Sequence, residues 1–137
     1  MKPLLLLALL IPSCASLGYK PGCMVVDVSE KRAVIEGKAF PVATAYKGTG
    51  GKPGSKRTPI GTLEVIAKEP GHRFGPVLRL GGVSEDGYCQ DDRGVLIHRT
   101  RKPIAIAGSS GCLVFRPVDI PLIYASLDVG DTVKIMP

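Results

Sequence analysis

A series of short apolar runs, separated by turn residues, places the strongest constraint on the fold. The runs occupy residues 24–28, 33–35, 40–45, 62–66, 77–80, 95–98 and 132–135. Short segments of Val, Ile and Leu that end at Gly, Pro, Asp or Lys are typical of β-strands. Lys31-Arg32 between the first two runs indicates a hairpin. The pattern therefore predicts a mostly β domain, built as a sandwich or a barrel-like sheet.

One segment near the C-terminus indicates a helix instead. Leu122, Ile123 and Ala125 follow helical spacing, and Pro121 suits a first turn, where amide groups lack partners within the helix. Asp119 is the candidate N-cap. A length of 137 residues fits one domain. We therefore expect a single β domain with one C-terminal helix.

Residues 1–15 have the pattern of an export signal. Met1-Lys2 is followed by an apolar run at 4–11 and by small residues around Cys14. The run is far shorter than the roughly 20 residues that a membrane-spanning helix needs. Two alternatives stay open: an ordinary cleavage site, or a lipoprotein signal in which Cys14 is lipidated and holds the protein at a membrane. Either predicts a protein exported to the periplasm or cell envelope.

The charge of the chain excludes some partners and leaves others open. Cleavage would remove Lys2 and leave 17 basic against 12 acidic residues, a net charge of +5. The basic residues are dispersed, which fits either a solvated surface or attraction to an anionic polymer such as a cell wall. With 5% aromatic residues, the chain lacks the stacking groups of single-strand nucleic-acid binders. Two His and no Cys-x-x-Cys pair argue against a metal site.

The cysteines divide by expected role. In an oxidising compartment Cys23 and Cys89 are candidates for a disulfide, although each also fits a small buried residue. Cys112, after Ser-Ser-Gly, and His98, at the end of an apolar run, are candidates for a nucleophile and its base, because a thiol near neutral pH is mostly protonated. Residue chemistry alone leaves a buried Cys and a structural His equally open. His72 is expected to be a solvated loop residue.

The segments around His98 and Cys112 resemble the signature of the L,D-transpeptidase catalytic domain family. In that family, Ile-His-Gly-Thr is followed by Ser-His-Gly-Cys-Ile-Arg. The corresponding residues here are Ile97-His98-Arg99-Thr100 and Ser109-Ser110-Gly111-Cys112-Leu113. Thr58-Pro59-Ile60-Gly61-Thr62 is similar to the family's Thr-Pro-x-Gly-Thr turn, and the likeness extends in order over a catalytic domain at 20–137.

The resemblance implies a cysteine enzyme that acts on the tetrapeptide stems of peptidoglycan. Cys112 would form a thioester, and His98 would act as general base and then as general acid. Ser109, Ser110 and Gly111 would shape the site and its oxyanion-binding amides. The resemblance implies no cofactor, and we expect a monomer. An L,D-carboxypeptidase, a silent peptidoglycan-binding protein and a structural domain with a disulfide at Cys112 are the alternatives.

Three positions depart from the family signature. Ser110 replaces the second His, which removes a cation or hydrogen-bond donor from beside the nucleophile. Arg99 replaces the Gly after the first His and places a charge at the rim of the site. Val114 stands where the family has Arg, and Arg116 follows two residues later. Arg99, Thr100 and Arg116 are therefore the candidate substrate-binding residues.

Overall fold

The short apolar runs form the strands of one sheet. In the computed structural model, which describes residues 22–137, the strands are β1 (Cys23–Asp27), β2 (Arg32–Ile35), β3 (Lys38–Ala43), β4 (Gly61–His72), β5 (Gly75–Gly81), β6 (Leu96–Arg99), β7 (Leu113–Phe115) and β8 (Thr132–Met136). The predicted signal at 1–15 and its Cys14 lie outside the described residues. Each predicted run overlaps a strand, whereas β7, directly after Cys112, was not among the predicted runs.

The eight strands of the described chain close into a barrel. Their order is β1-β2-β3-β7-β6-β5-β4-β8. Neighbours are antiparallel except at two contacts, β1 with β8 and β6 with β7, which are parallel. Closure pairs the backbone groups that an open sheet would leave at its edges. The prediction of a mostly β, barrel-like domain is confirmed.

Alternation along the strands separates a core face from an outer face. Every strand contributes to the interior, which consists of Met24, Val26, Ala33, Ile35, Phe40, Val42, Leu63, Val65, Leu78, Leu80, Val95, Ile97, Leu113, Phe115, Val133 and Ile135, together with Ile120, Ile123 and Leu127 from the helical segment. Ile97 and Leu113 point inward, so their neighbours in sequence, among them His98 and Cys112, lie on the outer face.

The predicted C-terminal helix is present as α1 (Ile120–Ser126), with Pro121 in its first turn. Asp119 occupies the N-cap position, but its side chain makes no capping hydrogen bond. Its carboxylate instead accepts hydrogen bonds from Arg116, at 2.7 Å from Nε and 3.1 Å from Nη2. Within residues 22–137, no helix combines the length and hydropathy needed to cross a membrane.

The disulfide predicted between Cys23 and Cys89 is not formed, because Cys89 has a free, exposed thiol. Cys23 begins β1 beside Thr132 of β8, with 3.4 Å between Sγ and Oγ1. β8 and β4 separate β1 from β5, which leads into the loop that carries Cys89. Three strand spacings of about 4.8 Å exceed the roughly 7 Å between Cα atoms that a disulfide can span.

We expect the stability of the barrel to depend on its interior. Leu80→Ala deletes a side chain that is 0% exposed, whereas Leu122→Ala makes the same deletion at a residue that is 51% exposed. Leu80→Ala should lower the free energy of unfolding by about 2–5 kcal/mol, and Leu122→Ala should change it by about 0.5 kcal/mol or less. Chemical denaturation measures both. Equal losses in the two variants would contradict a core at Leu80.

Candidate active site

Parallel pairing of β6 and β7 brings His98 and Cys112 onto neighbouring strands. His98 is in register with Val114, and Cys112 immediately precedes β7. Because side chains two residues apart share a face, Cys112 and Val114 lie on the same outer face as His98. The two candidate catalytic residues are therefore diagonal neighbours across the parallel β6–β7 pair.

The Cys112 thiol is half-buried beside two backbone groups, one at the start of β6 and one just before it. Its Sγ accepts a hydrogen bond from Leu96 N at 3.4 Å and donates to Gly94 O at 3.8 Å. Burial raises the pKa of the thiol above its usual value. The Leu96 amide and the charges of Arg93 and Arg79 oppose that rise in the pKa. The thiol therefore needs a base, a cation or both to become a nucleophile near neutral pH.

The His98 imidazole is fixed by a carbonyl and an aromatic ring. Nδ1 lies 2.8 Å from Arg99 O, and the ring stacks on Phe74 with 4.7 Å between centroids and 26° between planes. Since a carbonyl only accepts, Nδ1 carries the proton and leaves Nε2 with a lone pair. Burial lowers the pKa of His98 below its usual value, although the bond to Arg99 O raises it. The His98 imidazole is therefore neutral and can accept a proton at Nε2.

The thiol and the imidazole are not hydrogen-bonded to each other. The polar contacts of Cys112 Sγ are with Gly94 and Leu96, and the imidazole nitrogen contact is with Arg99. Both side chains border one surface, and catalytic hydrogen bonds are commonly long before substrate binds. Direct proton transfer therefore requires the thiol and the imidazole to approach each other more closely than they do here.

A tight turn presents Cys112. Ser109 Oγ donates to Cys112 O at 2.6 Å and accepts from Gly111 N at 3.2 Å. The Gly111 amide, expected as an oxyanion donor, is thus engaged within the turn. Gly111 has a φ of +127°, and a Cβ there would lie 3.1 Å from Arg57 O. Both the positive φ and the close approach of Arg57 O require glycine at position 111. Ser110, the residue that replaces the family's His, is exposed.

Thr58 anchors this turn to the rest of the barrel. Its side chain is completely buried, and Oγ1 accepts from Ala45 N at 2.9 Å while donating to Gly111 O at 3.1 Å. Sequence reasoning recognised the Thr-Pro-x-Gly-Thr turn but gave Thr58 no role. A single hydroxyl that satisfies one donor and one acceptor links this turn to the residue before Cys112.

A cleft of about 320 Å³ opens beside His98. Phe74 and Tyr46 supply aromatic surface, and Arg99, Arg101 and Lys102 supply positive charge; Thr100, Gly108 and Val114 complete the lining. Such a combination suits an elongated ligand with apolar and carboxylate groups. Cys112 is not part of the lining and lies beyond Val114 along the same face.

The candidate substrate-binding residues have different surroundings. Arg99 lines the cleft and approaches Gly75, where an added Cβ would lie 3.0 Å from its Nη1. Thr100 also lines it, but its hydroxyl is bonded to both Lys102 O and Lys102 N. Arg116 is not in the cleft, because β7 ends at Phe115 and the guanidinium pairs with Asp119 at the start of α1. The assignment of Arg116 as a substrate-binding residue stays a prediction that this cleft does not support.

The turn between β4 and β5 was the largest omission from the sequence prediction. His72, expected in a solvated loop, ends β4, and its Nδ1 accepts from Phe74 N at 3.1 Å. His72 also contacts the Phe74 ring, with centroids 5.0 Å apart. β4 runs past the predicted end at residue 66 through two register shifts. Bulges interrupt the alternation of apolar and polar residues, so the sequence pattern did not indicate this hairpin. The hairpin supplies Phe74 to the cleft beside His98.

Within the described part of the chain, no group of three or more His, Cys, Asp or Glu side chains is placed to hold a metal ion.

Solved structures share this fold. An L,D-transpeptidase from Mycobacterium tuberculosis H37Rv superposes with a TM-score of 0.62 at 18% identity, over 86% of this chain and 59% of that one. An L,D-transpeptidase from Stackebrandtia nassauensis gives 0.55 at 23%, over 86% and 56%. L,D-transpeptidase 3 from M. tuberculosis, in complex with a faropenem-derived adduct, gives 0.58 at 18%, over 86% and 61%. At these identities the likeness shows the fold.

The chain spans about three fifths of the length of these solved chains. No curated protein matches it significantly. A model of the L,D-transpeptidase catalytic domain matches residues 22–135, which is most of the sequence. By that match, the chain belongs to the L,D-transpeptidase catalytic domain family.

Proposed function

We propose that this protein is a peptidoglycan L,D-transpeptidase that acts through a thioester on Cys112. The observation that carries the proposal is the placement of a thiol and a neutral imidazole on one outer face of a barrel that belongs to this family. The substrate would be a tetrapeptide stem, and the site would lie in the cell envelope after export of the chain.

In the first half-reaction, Cys112 Sγ attacks the carbonyl carbon of the L-to-D peptide bond. The thiol proton passes to His98 Nε2 and then to the amine of the departing D-residue, which leaves a thioester. Because burial raises the pKa of the thiol and lowers that of the imidazole, the neutral pair is the resting state, and proton transfer accompanies the attack.

In the second half-reaction, an amine of another stem attacks the thioester carbonyl. Its proton passes to His98, and Sγ leaves and regains a proton. If water attacks instead, the product is a shortened stem, and the enzyme is an L,D-carboxypeptidase. The two outcomes share one acyl-enzyme and differ only in the acceptor.

The cleft beside His98 supports a peptide substrate that carries carboxylates. Arg99, Arg101 and Lys102 place three cations along one wall, and Phe74 and Tyr46 offer apolar surface to the stem. Arg99 stands where the family has glycine, so it narrows the cleft and adds a charge that a carboxylate can meet.

Replacement of the nucleophile tests the proposal. Cys112→Ala should abolish both stem dimerisation and release of the terminal D-residue, because no thioester can form. Cys89→Ala removes the other free thiol of the described chain, an exposed one, and should retain activity. Mass spectrometry of purified stems measures both products. Turnover by folded Cys112→Ala would overturn the proposal.

Faropenem provides a second measurement that does not need the native substrate, since a structural relative carries an adduct derived from it. We expect the Cys89→Ala protein to gain the mass of a faropenem-derived acyl group and Cys112→Ala to gain none. Labelling of Cys89 but not Cys112 would contradict the assignment.

The role of His98 predicts the pH dependence of turnover. The base is the neutral imidazole, which exists above the His98 pKa, and that pKa is lowered below its ordinary value of about 6.5. Activity should therefore persist as the pH falls through the ordinary value for His and should decline only near the lowered pKa of His98. His98→Gln should reduce kcat/KM by about 10²–10⁴-fold and remove this acid limb.

His72→Gln is the matched control because it removes the other of the two His residues. It should keep an acid limb, moved slightly to higher pH because His72 contributes to lowering the pKa of His98. An acid limb that survives in His98→Gln but disappears in His72→Gln would show that the base is His72 and not His98.

A further inference from the structure

Arg93 lies in the loop between β5 and β6, next to two residues that adjoin or contact the nucleophile. It precedes Gly94, whose carbonyl accepts the Cys112 thiol. A Cβ built on Gly111, the residue before Cys112, would lie 3.2 Å from Arg93 Nη2. The guanidinium therefore occupies the space that the missing Gly111 side chain leaves open.

The guanidinium is fixed by neutral acceptors on two loops. Nη1 donates to Gln90 Oε1 at 3.0 Å and to Gly50 O at 3.4 Å, and Nη2 donates to Arg57 O. Gln90 is completely buried, and its Nε2 donates to Gly51 O at 2.8 Å. This network holds the charge in one place, unlike a side chain that is free in solvent.

Arg93 is not neutralised by a carboxylate in ion-pair contact. The ion pairs of residues 22–137 join Lys68 to Asp128, Arg79 to Glu69 and Arg116 to Asp119. A partly buried cation without a counter-ion is costly, and burial accordingly lowers the pKa of Arg93. The opposing influences on its pKa are first a negative charge on Cys112 and then Asp86. Of these two negative charges, a thiolate at Cys112 has the larger influence on Arg93.

We propose that Arg93 is a positioning residue that stabilises the thiolate form of Cys112, in place of the His that the family carries at the position of Ser110. The inference rests on the proposed function in taking Cys112 as the nucleophile. It assigns two cooperating roles: His98 moves the proton, and Arg93 supplies the fixed positive charge that the sulfur meets once the proton has left.

The other nearby cation is less suited to this role. Arg79 is the cross-strand partner of Leu96, whose amide donates to Cys112 Sγ. Its Nε, however, lies 2.8 Å from Glu69 Oε2. The carboxylate offsets the field of Arg79 at the thiol, so Arg79→Gln serves as a matched control for Arg93→Gln.

The test is the pH dependence of thiol alkylation, measured in a Cys89→Ala background so that Cys112 is the remaining free thiol of the described residues. Arg93→Gln should raise the midpoint of iodoacetamide alkylation by roughly one pH unit or more and slow the reaction about tenfold at pH 7. Arg79→Gln should raise the midpoint by clearly less. An unchanged midpoint in folded Arg93→Gln overturns the proposal.

Arg93→Lys separates charge from packing. An ammonium keeps the charge but loses the guanidinium fork, so its midpoint should stay within about half a pH unit of the parent even if the protein is less stable. A folded Lys variant with a midpoint raised by one unit or more overturns the proposal, whether or not the Gln variant folds. Alkylation needs no stem peptide, so a protein that fails to turn over stems but gives the expected midpoints refutes the proposed function alone.

Discussion

The parallel pairing of β6 with β7 is the contact on which the candidate site depends. Parallel neighbours need a long crossover, whereas antiparallel strands can be joined by a short turn. Here the crossover runs from Thr100 to Cys112 and carries the basic rim of the cleft, a short 3-10 helix at Ile104–Ile106 and the Ser109 turn. The same pairing that closes the barrel therefore delivers His98 at the end of one strand and Cys112 at the start of the next.

Burial sets the chemical state of both groups and also creates a problem for the nucleophile. The same desolvation keeps the imidazole neutral, which suits a base, and keeps the thiol protonated, which does not suit a nucleophile. The base must stay neutral while the neighbouring thiol must lose its proton, and polar groups next to the thiol can favour that loss. The Leu96 amide and the Arg93 charge favour the thiolate without adding charge to the imidazole.

Sequence patterns predicted the barrel-like sheet and its helix because short strands and turn residues act locally. The assignment of His98 and Cys112 as a catalytic pair came from the family resemblance and stays a prediction. The patterns missed β7, since three residues after a turn carry little periodic signal, and they ended β4 early, since bulges break alternation. Arg116 was named as a candidate because it follows Val114, where the family has Arg, but β7 stops one residue before it. Long-range partners such as Thr58 with Gly111, and Arg93 with Cys112, leave no local pattern.

Gly111 shows why the departures from the family signature need not act independently. Its positive φ and lack of a side chain allow the Cys112 turn to approach Arg57 O and Arg93 Nη2 closely. Thr58 holds the Gly111 carbonyl, so the turn cannot move away from the guanidinium without breaking a buried hydrogen bond. With the approach fixed in this way, the proposed role of Arg93 does not depend on a cation at position 110. Arg93 is also not among the residues that line the cleft beside His98, so the proposed cation leaves that cleft open.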